Sequence, residues 1–180
     1  MSSTVSPGSA SALMVTMIDL PAGGALGLTH CPGRCGGSYG IRNLDADLAA
    51  IESWGADLVL TLNEAHEFER LGVPALPSKA AARKFIWRHV PIPDFGAPTT
   101  ETWQAWNKAR PDILQVIDQR GRIVLHCAAG LGRTGTIAAK MLSELGLSPQ
   151  AAIELVRARR PGTIETSAQM DFVMHGQKLL

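Results

Sequence analysis

The sequence has little of what disulfide-rich, zinc-binding, secreted or membrane-spanning proteins are built from. Its 180 residues include three cysteines and five histidines. An odd number of cysteines leaves a disulfide framework incomplete, and their spacing with histidine does not supply four zinc ligands. Its apolar runs fall short of the roughly 20 residues that cross a bilayer, and its start lacks the positive charge of a secretory signal. The net charge of +1 gives no general attraction to nucleic acid or membrane surfaces. We therefore expect a cytoplasmic protein that binds neither nucleic acid nor membrane, and no metal.

Length and composition predict one compact domain. Hydrophobic residues make up 46% of the chain and charged residues 18%, which favours a globular protein with a real core over a disordered one. Residues 1–12 are small and polar and contain Pro7 and Gly8. We expect residues 1–12 to be a flexible lead and residues 13–180 to form the single folded domain.

Apolar runs and helical patterns alternate along the domain, which predicts an α/β fold with a central, mainly parallel sheet flanked by helices. Strands are predicted at residues 13–18, 26–28, 57–62, 85–90 and 122–125. Helices are predicted at residues 44–54, 64–71, 79–84, 99–118 and 136–142, and from Ser148 onward. Thr99 or Thr100 would cap the fourth helix, and Pro111 is expected to interrupt or restart it.

The most informative segment runs from His126 to Gly135 and reads HCAAGLGRTG. It places Cys127 and Arg133 six positions apart around a glycine-rich turn between a predicted strand and a predicted helix. The helix N-terminus supplies free N–H donors and partial positive charge, and glycine lets the backbone curl around a tetrahedral anion. The same field favours the nucleophilic thiolate form of Cys127. The predicted phosphate ligands are the Arg133 guanidinium and the backbone of Ala128, Ala129, Gly130, Leu131 and Gly132.

A second loop supplies a candidate proton donor. Asp94 follows the strand predicted at 85–90, in a loop stiffened by three prolines. Parallel strands end at a common edge of the sheet, so Asp94 and Cys127 are expected to meet there. A carboxyl group at that edge can protonate the oxygen of a departing group.

The segment 126–135 resembles the HCxxGxxRTG signature of the cysteine-dependent tyrosine and dual-specificity phosphatases. The resemblance implies a metal-independent, cofactor-free reaction in which Cys127 attacks phosphorus and Arg133 clamps the phosphoryl oxygens. It also implies that Asp94 is the general acid, that the Thr134 hydroxyl assists the thiolate and that His126 orients the loop.

From about Pro21 to the end, the chain is similar to atypical dual-specificity phosphatases, especially the kinase-associated phosphatase branch. The resemblance implies a single-domain tyrosine-phosphatase fold and a phosphorylated protein or peptide as substrate, with a monomer favoured. Gln169 matches a family glutamine thought to orient the hydrolytic water, although a residue there could equally cap or pack on a terminal helix. Glu165 stands where relatives often have glutamine, a departure from the pattern.

Other interpretations of the chain remain open at this point. Residues 130–135 also match G-x-G-x-x-G, the dinucleotide-binding fingerprint, but the acidic strand end required about twenty residues on falls in a predicted helix. A regulator that binds phosphate without turnover, and a phosphatase of an RNA end or small metabolite, are the remaining alternatives.

Several residues bear on substrate and redox chemistry. The loop positions Ala128, Ala129 and Leu131 are neutral, whereas phosphoinositide phosphatases of the superfamily that the chain resembles tend to carry lysines there. The resemblance therefore disfavours polyphosphorylated lipids. Tyr39 is the only tyrosine, and without a tyrosine-bearing recognition loop a shallow pocket for phosphotyrosine and phosphoserine or phosphothreonine is favoured. Two interpretations are open for Trp103 and Trp106, which could form the rim of the pocket or belong to the core side of a helix. Cys31 and Cys35 could be ordinary reduced thiols, or one of them could trap oxidised Cys127.

Overall fold

The computed structural model describes residues 12–180 as one sheet of five strands with helices on both faces. The predicted lead, apart from Ala12, lies outside the described residues. The strands are β1 (Thr16–Asp19), β2 (Ala25–His30), β3 (Leu58–Thr61), β4 (Ile86–His89) and β5 (Arg122–Cys127). The helices are α1 (Leu44–Trp54), α2 (Glu67–Arg70), α3 (Leu76–Ala81), α4 (Thr100–Asp118), α5 (Gly132–Glu144), α6 (Pro149–Arg159) and α7 (Ser167–His175).

The strand order puts the predicted nucleophile at the centre of the sheet. The order is β1-β2-β5-β3-β4, with β1 antiparallel to β2 and every other pair parallel. Because β2, β3, β4 and β5 run in the same direction, the loops that follow them meet at one edge. Cys127, which ends β5, therefore lies between loops from both neighbouring strands.

Alternation of side chains along β5 builds a core on each face of the sheet. Ile123 and Leu125 pack with the apolar faces of α4 to α7, and Val124 packs with those of α1 to α3. Strands covered on both faces are typical of parallel sheets. Among residues 12–180, no helix is long and apolar enough to cross a membrane.

Two of the helix predictions were wrong at positions that involve a proline. Pro111 lies inside α4 and does not interrupt it, because Pro111 and Asn107, the residue whose carbonyl loses its partner, are both exposed and water can hydrate that carbonyl. The third helix spans 76–81 rather than 79–84, since Pro77 occupies its first turn, where a missing N–H costs nothing.

The remaining boundaries match the prediction at some elements and not at others: β1 spans Thr16–Asp19 rather than 13–18, and α2 spans Glu67–Arg70 rather than 64–71. Helix α1 has the predicted bounds, and α4 is capped by Thr99, whose side chain accepts from the Thr102 N–H while Thr102 accepts from the Thr99 N–H. Helix α5 begins at Gly132, four residues before the predicted start. The first turn of α5 is therefore part of the candidate phosphate-binding loop.

Candidate active site

The phosphate-binding loop (residues 127–133) leaves β5 and enters α5 through a tight turn against strand β2. Cys127 is buried, and Gly130 has a positive φ of 70°. A Cβ at Gly130 would overlap the Thr29 carbonyl and lie 2.7 Å from the His30 nitrogen. Only glycine fits a left-handed turn this close to a neighbouring backbone.

The loop backbone is oriented with its donors free and its acceptors occupied. Arg34 Nη1 donates to the Ala128 carbonyl at 2.7 Å. Arg160 donates through Nε to the Gly130 carbonyl at 2.6 Å and through Nη2 to the Ala129 carbonyl at 3.3 Å. Within residues 12–180, the N–H groups of residues 128–131 meet no protein acceptor. Unpaired N–H groups at a helix start are what an oxyanion requires.

Arg133 is held by Glu67 in a bidentate ion pair. Its Nη1 lies 2.6 Å from Glu67 Oε2, its Nη2 lies 3.0 Å from Oε1, and Nη1 also donates to the Ile92 carbonyl at 3.1 Å. Both side chains are at most 1% exposed. The guanidinium is therefore fixed before any ligand binds.

Electrostatics keep both members of this pair charged. Burial alone would raise the pKa of Glu67, but hydrogen bonds from Arg133 and from the Glu64 N–H outweigh it, so the pKa lies below its usual range. Burial would likewise lower the pKa of Arg133, but Glu67, Cys127 and Asp94 raise it instead. A buried ion pair with nearly full hydrogen bonding offsets much of its desolvation cost.

Sequence reasoning missed Glu67, Arg34 and Arg160. Each acts through a contact at least 30 positions away along the chain. Charged residues are usually exposed, and nothing in the pattern of residues 64–71 marks Glu67 as fully buried. No local signal in the sequence identifies these partners.

Asp94 lies beside Arg133, the last residue of the phosphate-binding loop. Its Oδ1 lies 3.0 Å from Arg133 Nη2, and its side chain is 42% exposed. The acid loop (residues 91–98) is tied to the start of α7, because Thr166 Oγ1 donates to the Phe95 carbonyl at 3.0 Å and Gln169 Nε2 donates to the Gly96 carbonyl at 3.4 Å. Asp94 therefore sits between the buried guanidinium and solvent, where a leaving group would depart.

His126 and Thr134 immediately precede and follow the phosphate-binding loop in sequence, and both are buried. Thr61 Oγ1 is 2.7 Å from His126 Nε2, and Trp87 Nε1 donates to the same hydroxyl at 2.9 Å. Burial lowers the pKa of His126 to about 3, so the ring is neutral at physiological pH. Thr134 Oγ1 is buried and has no partner among the described residues, which leaves it free for the role that the resemblance implies.

Gln169 closes a capping box and also lies beside the phosphate-binding loop. Its Oε1 accepts from the Thr166 N–H at 3.3 Å and from the Glu165 N–H at 2.8 Å, while its backbone N–H donates to Thr166 Oγ1 at 3.2 Å. A Cβ at Gly132 would lie 2.9 Å from Gln169 Nε2 and would overlap the Glu165 carboxylate. The capping interaction is therefore present, and the Gln169 amide also lies close to the loop. Its water-orienting role stays a prediction.

Among residues 12–180, the side chains of the two tryptophans and of Cys31 and Cys35 make no hydrogen bond to the phosphate-binding loop. Trp106 is buried and donates to the Leu179 carbonyl at 2.8 Å, and Trp103 packs against Phe172 with the ring centroids 6.2 Å apart. The helix-core interpretation therefore fits both. Burial raises the pKa of the Cys31 thiol, which makes it a poor thiolate, and Cys35 is exposed. Their redox role stays a prediction.

Charge at the candidate site comes from N–H groups and guanidinium. Within residues 12–180, no three His, Cys, Asp or Glu side chains form a group that could hold a metal ion. The dinucleotide alternative required a strand near residues 153–157, and those residues lie in α6. The arrangement suits capture of a single tetrahedral oxyanion beside a thiol.

Replacing Glu67 by glutamine should loosen Arg133 and weaken oxyanion binding. The amide keeps the shape of the side chain but removes the charge that pairs with a buried guanidinium, a change that costs about 3 kcal/mol of stability. We expect the Kd for inorganic phosphate, measured by calorimetry, to rise about tenfold or more in Glu67→Gln. Glu69→Gln is the matched control, since Glu69 lies on the same helix and is exposed. Equal phosphate affinity in the wild type and Glu67→Gln would contradict the role assigned to Glu67.

The low pKa of His126 predicts a loss of stability in acid. Below about pH 6.5 the unfolded chain protonates this histidine, and the folded chain does not until about pH 3. The free energy of unfolding should therefore fall by up to about 1.4 kcal/mol per pH unit over that window. His30, whose pKa burial also lowers, contributes with the same sign.

Denaturant unfolding near pH 7 and near pH 5 measures this loss. The loss should be smaller in His126→Asn than in the wild type and unchanged in His66→Gln, which alters an exposed histidine. The same loss in the wild type and His126→Asn would show that His126 is not buried in its neutral form.

The chain is similar to known phosphatases in sequence. A family model described as "Polymorphic toxin system, DSP-PTPase phosphatase" matches residues 35–146. The chain is 30% identical over 151 residues to Cyclin-dependent kinase inhibitor 3 of Rattus norvegicus, covering 82% of this chain and 69% of that protein. It is 32% identical over 109 residues to the Tyrosine-protein phosphatase corkscrew of Drosophila melanogaster, covering 52% of this chain and 13% of that protein.

The fold is also shared with solved phosphatases. Kinase associated phosphatase, solved with serine in place of its catalytic-site cysteine, superposes with a TM-score of 0.80 at 24% identity over 92% of this chain and 94% of that one. Tk-PTP in its active form has a TM-score of 0.64 at 28% identity over 83% of this chain and 89% of that one. Both confirm the predicted mixed α/β single-domain fold. The chain belongs to the dual-specificity and tyrosine phosphatase family, in its atypical dual-specificity branch, and is a phosphoric monoester hydrolase by that membership.

Proposed function

We propose that this chain is a metal-independent, cytoplasmic phosphatase of phosphorylated proteins, working through a phosphocysteine on Cys127. The observation that carries the proposal is the buried Cys127 at a loop whose N–H groups of residues 128–131 are unpaired and whose Arg133 is fixed by Glu67. These groups supply positive charge to three phosphoryl oxygens without a metal ion.

In the first step the Cys127 thiolate attacks phosphorus in line with the departing oxygen. The S–P bond forms as the P–O bond to the substrate breaks, and Asp94 passes its proton to that oxygen. Phosphoryl oxygens take the place of Asp94 Oδ1, now 3.0 Å from Arg133 Nη2, while Glu67 keeps the guanidinium in position. The loop N–H groups and Arg133 then bear the charge that develops on those oxygens.

In the second step water breaks the phosphocysteine. Asp94, now a carboxylate, takes a proton from the water, the new P–O bond forms and the S–P bond breaks. The Gln169 amide, beside the loop at Gly132, orients the water, and the unpaired Thr134 hydroxyl stabilises the returning thiolate. His126, neutral and bound to Thr61, holds the base of the loop in place.

The surroundings of the site favour a phosphorylated side chain of a protein. Phe95 is 59% exposed, next to Asp94, and its φ of 56° holds it in a conformation that is uncommon for a bulky residue. An aromatic ring at the mouth gives an apolar contact to either phosphotyrosine or phosphothreonine. Because the relatives include proteins named for kinases, a phosphorylated protein kinase is the first protein substrate to test.

Hydrolysis of p-nitrophenyl phosphate with EDTA and reductant present tests the mechanism. Cys127→Ser should abolish turnover, since a hydroxyl is a far weaker nucleophile at neutral pH. Asp94→Asn should lower kcat on phosphopeptides by about 10²- to 10⁴-fold, and by less on p-nitrophenyl phosphate, whose leaving group needs little protonation. Asp118→Asn, at the exposed C-terminal end of α4, is the matched control.

Each result decides between the candidate functions. Activity on both a phosphotyrosine and a phosphothreonine peptide supports dual specificity, and activity on p-nitrophenyl phosphate alone points to a non-protein substrate. Substantial turnover by Cys127→Ser, or turnover lost in EDTA and restored by metal, would contradict the proposed mechanism. Binding of phosphopeptides by the reduced wild type without turnover would favour the phosphate-binding regulator.

A further inference from the structure

A second guanidinium stands beside the catalytic one at the mouth of the site. Arg70 Nη2 donates to Glu67 Oε1 at 3.0 Å, and Arg133 Nη2 donates to the same oxygen at 3.0 Å. Two nitrogen atoms that share one acceptor at these distances are at most about 6 Å apart. Arg133 is buried, whereas the Arg70 side chain is 59% exposed. Arg70 is thus fixed at one end by a buried carboxylate and open to solvent at the other.

Arg70 also faces the general acid. Asp94 presents Oδ1 to Arg133 at 3.0 Å and Oδ2 to Arg70 at 3.9 Å. The carboxyl therefore lies between the two guanidiniums. Since Asp94 protonates the departing oxygen, Arg70 lies on the side of the site where the rest of the substrate extends, and the two proposed steps do not use it.

The charges of these groups change when substrate binds. In the free protein two carboxylates, Glu67 and Asp94, balance two guanidiniums, Arg70 and Arg133. In the reactive complex phosphoryl oxygens replace Asp94 beside Arg133, and Asp94 carries a proton. Arg70 then loses the negative charge that Asp94 had presented to it. An exposed cation in this state attracts a further anion.

We propose that Arg70 is an anion subsite that selects phosphopeptides with a second negative charge next to the scissile phosphate. The proposal rests on the proposed function, because it concerns substrates of the same site. Arg70 Nη2 and Arg133 Nη2 are at most about 6 Å apart, and an extended peptide advances about 3.3 Å per residue. The second charge should therefore lie one or two residues from the phosphorylated residue. A carboxylate of Asp or Glu and a second phosphate share the chemistry that a guanidinium binds.

The test compares phosphopeptides that differ only in one flanking residue. One set places Ala, Glu or a second phosphorylated residue at each of the two positions on either side of the phosphorylated residue. The measured quantity is the ratio of kcat/KM for the anionic peptide to that for its Ala counterpart, within one variant, because a uniform loss of activity cancels in that ratio. The variants are the wild type, Arg70→Gln, Arg70→Lys and Arg110→Gln. Arg110 is exposed on α4, about 15 Å of helix from its start, and its substitution gives the same change in net charge.

The subsite predicts a ratio of about tenfold in the wild type at the preferred position, equivalent to about 1.4 kcal/mol. The ratio should fall to about one in Arg70→Gln, be partly kept in Arg70→Lys and be unchanged in Arg110→Gln. The carboxylate and phosphate arms show which anion Arg70 favours. A ratio near one in the wild type, or an equal ratio in the wild type and Arg70→Gln, would overturn the proposal.

Binding to the Cys127→Ser background separates this proposal from the proposed function. The same peptides are titrated by fluorescence anisotropy into Cys127→Ser and into Cys127→Ser with Arg70→Gln. Suppose that the wild type turns over no phosphoester, while Cys127→Ser binds the anionic peptides more tightly than the Ala peptides and loses this preference with Arg70→Gln. That result would contradict the activity and support the subsite. Equal affinities for anionic and Ala peptides would reject the subsite while leaving the activity intact.

Discussion

The buried ion pair between Arg133 and Glu67 is the interaction on which the site depends. A guanidinium 1% exposed is expensive to take out of water, and a carboxylate that meets it through two hydrogen bonds offsets much of that cost. The pair joins the first turn of α5 to the first residue of α2, so both faces of the sheet contribute to one phosphate ligand. Arg133 is thereby oriented before substrate arrives, and preorganised charge is the main contribution to catalysis of this kind.

The phosphate-binding loop is also oriented by contacts within the folded protein before substrate binds. Arg34 and Arg160 occupy the carbonyls of residues 128–130, and the N–H groups of the loop are left to an anion. Gly130 permits the turn that brings the loop against β2. The strand order that places β5 beside β2 brings Arg34 within reach, because the loops after β2 and β5 leave the same edge of the sheet. Arg160 reaches the loop from the C-terminal end of α6.

The chemistry-bearing loop was predictable because its residues are neighbours in sequence. Cys127 and Arg133 lie in one short segment whose strand and helix flanks have clear patterns, and Asp94 follows the next strand but one in the sheet. The start of α4 was predictable from Thr99, because an N-terminal cap is a local interaction: Thr99 bonds with Thr102, three residues away.

The missed features depend on tertiary contacts. Glu67, Arg34 and Arg160 gain their roles from partners 30 to 94 positions away, and a charged residue gives no sequence sign of being buried. Pro111 was predicted to break α4 on propensity alone, but its exposed position makes the lost hydrogen bond inexpensive. The predicted start of α5 was too late because Gly132 and Gly135 are poor helix formers and hide its first turn. Glycine is needed at both positions, where Gln169 and Thr163 pack closely.

The central claim is that a covalent bond forms between phosphorus and Cys127. Rapid acid quenching of the enzyme during turnover of a phosphopeptide, followed by peptide mass spectrometry, tests it most directly. The account predicts one phosphoryl group on the peptide that contains Cys127, absent when substrate is omitted. Continued turnover with no phosphorylated peptide at any quench time, or with the phosphoryl group on another residue, would contradict it.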